Sequence, residues 1–158
     1  GPTSFKATMA KAGIGEARQV LVQLTDWIRR AHGSGRVIGG RHPRNSRWDG
    51  AKLSMRGFSF GYAGDPSEGA LFEHLFALLT HAAALPPCHR TAAVLLPFLF
   101  EYVDLWGHEA ARDAYRRLCN DLARTGLASD AMLSSDPSRL AYVSMLDEAG
   151  LTIFGKRM

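Results

Sequence analysis

The sequence predicts a mainly α-helical protein, a compact bundle of about five helices with a small β hairpin or strand element near residues 36–62. Three observations lead there. Apolar residues recur at spacings of three and four through most of the chain. Glycine or proline punctuates those stretches, at Gly33, Pro86-Pro87, Gly107 and Gly126. Only residues 52–62 alternate with period two, the period of a strand.

The first helix is expected over 15–31, where Ala17, Leu21, Leu24, Ile28 and Ala31 share one face, widened by Val20 and Trp27. Gly33 stops it. Residues 33–50 (GSGRVIGGRHPRNSRWDG) are rich in glycine, proline, asparagine and serine and read as a long loop, with Val37-Ile38 as a short strand. Leu53 and Met55 alternate, then Phe58, Phe60 and Tyr62, with a slip at Arg56-Gly57 that a glycine bulge explains. The three aromatics then share a strand face that packs under the second helix.

Asp65-Pro66-Ser67-Glu68 has the form of a helix start, with a cap, a proline at the first turn and a capping-box acid. The helix runs to about residue 85 and is apolar around most of its circumference, so it is expected to be central. A third helix is expected over 89–106 with a kink or break at Pro97, and a fourth over 108–125. The fourth has an apolar stripe of Ala111, Tyr115, Leu118 and Leu122 beside a mixed-charge face. Asp136-Pro137-Ser138 opens a last helix to about 149, and 151–154 reads as a short strand.

The 158 residues suit one domain, 3–158, with Gly1-Pro2 read as a scar of protease cleavage. The longest apolar run, 92–100, is nine residues, far short of the roughly 20 that span a membrane. No membrane association and a cytoplasmic location are expected. Cys88 and Cys119 are too few and too far apart for a disulfide framework or a zinc site, and both are read as buried free thiols. No cofactor and no metal is expected. His74 and His81 share a helix face, and Glu101, Asp104 and His108 are roughly co-facial if the helix continues through Gly107, but no tight ligand spacing is present.

Charge is the most informative feature. Between Trp27 and Gly64 stand Arg29, Arg30, Arg36, Arg41, Arg44, Arg47, Lys52 and Arg56 with a single acid, Asp49, for a local charge of +7 in a chain whose total is +4. Cations crowded on a glycine-rich segment repel one another, and a polyanion relieves that repulsion while releasing its counterions. The expected function is nucleic-acid binding through the phosphate backbone with little sequence specificity. Arg36, Arg41, His42, Arg44, Arg47, Lys52 and Arg56 form the contact set, and Trp48, expected to be exposed, stacks on bases. RNA or single-stranded DNA is the expected partner. The alternative is a protein-interaction module (an adaptor, chaperone or immunity-type protein) that sets the same cations against an acidic partner surface. A homo-oligomer is compatible with either.

Other motifs carry less. Gly33-Ser34-Gly35-Arg36-Val37-Ile38-Gly39 follows a helix and has the wrong spacing for a dinucleotide loop. Arg36 with His32 or His42 could perform acid–base work on a phosphodiester, but any basic loop brings such residues together. Arg56-Gly57-Phe58-Ser59-Phe60-Gly61-Tyr62 partly resembles the aromatic signature of the RNA-recognition motif. Arg56, Gly57, Phe58 and Phe60 match it, whereas Ser59, Gly61 and Tyr62 depart. The upstream helical periodicity also departs from that family's βαββαβ order, so no catalytic or recognition role is carried over.

Overall fold

The structure, a computed structural model, describes residues 4–36, 41–56, 66–124 and 136–155. It is mainly helical with one small antiparallel sheet, as the periodicity predicts. The chain divides into two compact units, Gly1–Pro86 and Pro87–Met158. No described helix is long and apolar enough to cross a membrane.

The first unit holds α1 (Phe5–Met9), α2 (Ile14–Gly33), a 3-10 turn (Pro43–Asn45), β1 (Ser46–Trp48), β2 (Leu53–Met55) and α3 (Pro66–Ala83). Its centre is α2 against α3. Of the predicted stripe, Ala17, Val20, Leu21, Leu24 and Ile28 are fully buried while Trp27 and Ala31 are half-buried, against a helix whose Leu75, Leu78 and Leu79 are fully buried. Apolar area removed from water is the driving term for this pairing. The short α1 was not expected. Ser4 caps it by accepting a hydrogen bond from the Ala7 N–H, and Phe5 and Met9, one turn apart, bury their side chains.

The hairpin falls within the expected β element at 36–62, but it corrects the reading of 46–48 as loop. β1 pairs with β2 in the register Ser46↔Met55, Arg47↔Ser54 and Trp48↔Leu53, and the Arg56 N–H extends the ladder to the Asn45 carbonyl. The turn explains why strands form in so polar a stretch. Asp49 Oδ1 accepts hydrogen bonds from the Ala51 and Lys52 N–H groups, at 2.8 and 2.7 Å. Gly50 takes φ +101°, a conformation that side chains with a Cβ rarely adopt. Val37-Ile38, the slip at Gly57, and Phe58, Phe60 and Tyr62 lie outside the described residues, as does Asp65.

Among its described residues the second unit holds three mutually packed helices, α4 (Ala92–Trp106), α5 (His108–Arg124) and α6 (Asp136–Phe154). A 3-10 turn, Pro87–His89, precedes α4, and Thr91 caps it, three residues later than expected. Pro97 lies within α4 without ending it. Proline removes the bond to the carbonyl four residues back, but Pro97 and Ala93 are both exposed, so water can take that bond's place. Leu95, Leu99 and Tyr102 of α4, Tyr115 and Leu122 of α5 and Tyr142 and Leu146 of α6 are buried. The Tyr115 hydroxyl donates to the Leu146 carbonyl, which satisfies both groups inside the core.

Two further expectations fail here. Residues 151–154 are the last turn of α6, not a strand. The Phe154 ring packs 5.5 Å from the rings of both His108 and Tyr115, and this packing outweighs the weak strand preference of Thr152 and Ile153. Cys119 is buried, and burial pushes its thiol up to about 12, but Cys88 is exposed, because it sits in the 3-10 turn ahead of α4.

Gly107 separates α4 from α5 with φ +89° and ψ 148°, a region nearly closed to other residues, and a Cβ there would meet nothing within 4 Å. The strain of Gly107→Ala is therefore purely backbone. It is expected to lower unfolding stability by about 1–3 kcal/mol, measured by chemical denaturation, with helical content unchanged.

Candidate functional site

The hairpin is held by side chains of α2 and α3. Gln23 of α2 acts like a short third strand. Its Nε2 donates to the Ala51 carbonyl and its Oε1 accepts from the Leu53 N–H, each at 2.8 Å. About two turns earlier on the same helix, Glu16 Oε1 accepts from the Trp48 indole N–H at 3.1 Å, and Glu16 Oε2 accepts from the Gly13 N–H. From α3, His81 reaches Ser46. Its Nδ1 lies 2.7 Å from the Ala77 carbonyl, which can only accept, so Nδ1 carries the proton. Nε2 is then left to accept from the Ser46 hydroxyl, also at 2.7 Å. The ring is wholly buried, edge-on to Phe5, and burial holds its pKa down at about 3.

A second polar group lies where the hairpin enters. Glu73 of α3 is buried, and its Oε1 stands 2.8 Å from His32 Nε2 at the end of α2. Arg41 is 1 % exposed. Its guanidinium lies over the Trp27 indole, 5.7 Å from the ring centroid, and donates to the Arg56 carbonyl. Burial lowers its pKa, and the attraction of Glu73 opposes that shift. Beside this group His74 is buried and held neutral, with a pKa near 4, by burial and then by the charges of His32 and Arg29.

The structure divides the eight expected contact residues. Arg41, His42 and Trp48 are buried. Trp48, expected to be exposed as a stacking surface, is only 5 % exposed, because the β1 register turns it inward beside Leu53 and Glu16 takes its N–H. His42 caps the 3-10 turn, its Nδ1 accepting from the Arg44 N–H. Burial, and then the Arg44 charge, lowers its pKa. Arg36, Arg44, Lys52 and Arg56 are exposed and Arg47 is half-exposed. None of these five forms an ion pair among the described residues, whereas Arg30 pairs with Asp26, and Arg112 and Arg116 with Asp113.

A solvent-open groove of about 550 Å³ runs beside the hairpin. Arg47, Asp49, Lys52 and Ser54 line it from the hairpin, Thr8 from α1 and Glu16 from α2. Sequence reasoning missed Thr8, Glu16, Ser54 and the anchor Gln23. A signal was present for two of them. Glu16, Val20, Gln23 and Trp27 follow spacings of four, three and four along the border of the buried stripe, which is where polar side chains meet a neighbouring element.

No group of three or more histidine, cysteine, aspartate or glutamate side chains is close enough to hold a metal among the described residues. His81 in particular has both ring nitrogens engaged. No family model, curated protein or solved structure matches the chain.

Two predictions test this arrangement. Glu73→Gln removes the carboxylate that faces His32 and whose charge attracts the buried Arg41. It is expected to cost about 3–5 kcal/mol of unfolding stability, read by chemical denaturation.

The second concerns the buried histidines. His81 and His74 have folded pKa values of about 3 and 4, below the ordinary 6.5. As pH falls below 6.5 the unfolded chain takes up protons that the folded chain refuses, so stability is full above 6.5 and declines down to about pH 3. His81→Gln is expected to lower stability at pH 7 and to flatten that decline, measured as melting temperature against pH.

Proposed function

We propose that the chain binds nucleic acid through the phosphate backbone, with Arg36, Arg44, Arg47, Lys52 and Arg56 as the contacting cations. The observation that carries the reading is that all five reach solvent without an ion-pair partner among the described residues. Four of them border one hairpin, whose anchors on α2 and α3 reduce the ordering that binding would require. Phosphate contacts position a strand without reading its sequence, so weak sequence preference goes with this set. A cytoplasmic setting belongs to the same proposal, since Cys88 and Cys119 are free thiols of the kind a reducing compartment maintains.

Binding of a labelled single-stranded oligonucleotide is expected to weaken with salt, the logarithmic slope rising by about 0.7 per phosphate contact. The triple variant Arg44→Ser, Arg47→Ser, Arg56→Ser is expected to lower that slope by about two and to leave the melting temperature nearly unchanged, because the three side chains form no ion pair among the described residues. Binding indifferent to salt, or unaltered in the variant, would overturn the proposal. Absence of nucleic-acid binding, with capture of one acidic protein instead, would assign the same surface to carboxylates.

A further inference from the structure

We propose that the groove beside the hairpin seats one ribonucleotide of the bound strand, so that the chain prefers RNA to DNA of the same sequence. This rests on the nucleic-acid reading above and names the kind of strand. The volume of about 550 Å³ lies within the roughly 300–1,000 Å³ of small-ligand sites. Its lining is divided by chemistry. Arg47 and Lys52 offer donors and positive charge, and Ser54, directly opposite Arg47 in the hairpin register, adds a hydroxyl beside Arg47. Against them stand two carboxylates, Glu16 and Asp49.

Those carboxylates make the groove selective. A negative charge beside a phosphate track repels every nucleic acid, and the five exposed cations carry enough attraction to bind despite it. The repulsion is offset only by a ligand that returns a hydrogen bond to the carboxylate. The 2′-hydroxyl of ribose is such a donor next to a phosphate, and deoxyribose has none. Asp49 is the residue placed to accept it. Its Oδ1 is taken by the Ala51 and Lys52 N–H groups, whereas its Oδ2 accepts no hydrogen bond from another described residue. Glu16, by contrast, has one N–H on each oxygen, from Trp48 and Gly13.

The test uses fluorescence anisotropy with one sequence as single-stranded RNA, DNA and 2′-O-methyl RNA. The methylated strand keeps the ribose oxygen and loses its proton. The intact chain is expected to bind RNA about tenfold more tightly than DNA, the yield of one hydrogen bond to a charged acceptor, with 2′-O-methyl RNA grouped with DNA. Asp49→Asn keeps an oxygen for the Ala51 and Lys52 N–H groups and replaces the outer oxygen by a donor, so its RNA-to-DNA ratio is expected to fall toward one.

Equal affinity of the intact chain for RNA and DNA would overturn the inference and leave the nucleic-acid reading standing. So would 2′-O-methyl RNA binding as tightly as RNA, or a ratio unchanged by Asp49→Asn. Failure to bind any of the three strands would overturn both. The ligand series on the intact chain decides the matter even if the variant folds poorly.

Discussion

The buried carboxylate of Glu73 is the constraint on which the first unit depends. A lone carboxylate in the interior is very unfavourable, and so is a lone guanidinium. Here Glu73 faces His32 from α2 and attracts Arg41 from the segment that leads into the hairpin. One charge thus draws three parts of the chain to one place. Arg41 completes its surroundings with the Trp27 face and the Arg56 carbonyl, so a residue from the most basic part of the sequence becomes part of the interior.

That anchoring separates the basic segment into two populations. Arg41 and His42 are inside and serve the fold, whereas Arg44, Arg47, Lys52 and Arg56 are outside and have no ion pair among the described residues. Strand alternation helps to decide which is which. Ser46, Trp48 and Leu53 turn inward, and Arg47 and Ser54, paired across the ladder, turn outward. Gln23, Glu16 and His81 then keep the outward face in a fixed position. The same hydrogen bonds that build the hairpin thereby present the cations and shape the groove. Most of the groove's lining residues also hold the turn or the strands.

Much of the helical architecture was legible because its cause is local. The apolar stripe of α2, the proline start of α3, the stop at Gly107 and the amphipathic pattern of α5 each sit within a few residues of their effect. The failures have the opposite character. Residues 46–48 look like loop, and they are strand because Gln23, His81 and Glu16, all distant in sequence, satisfy the hairpin. Residues 151–154 look like strand, and they are helix because Phe154 has His108 and Tyr115 to pack against. Trp48 looks exposed amid glycine and arginine, and is buried by its register.

By itself the sequence determined the helical class, the approximate limits of α2, α3 and α5 and the concentration of positive charge between Trp27 and Gly64. These follow from residue spacing, from backbone restrictions at glycine and proline, and from counting. Only the tertiary structure decided which of those cations face water, that Glu73 and His32 meet, and that Thr8 and Glu16 join the hairpin around one groove. Burial and long-range hydrogen bonding depend on which elements pack together, and no local pattern encodes that.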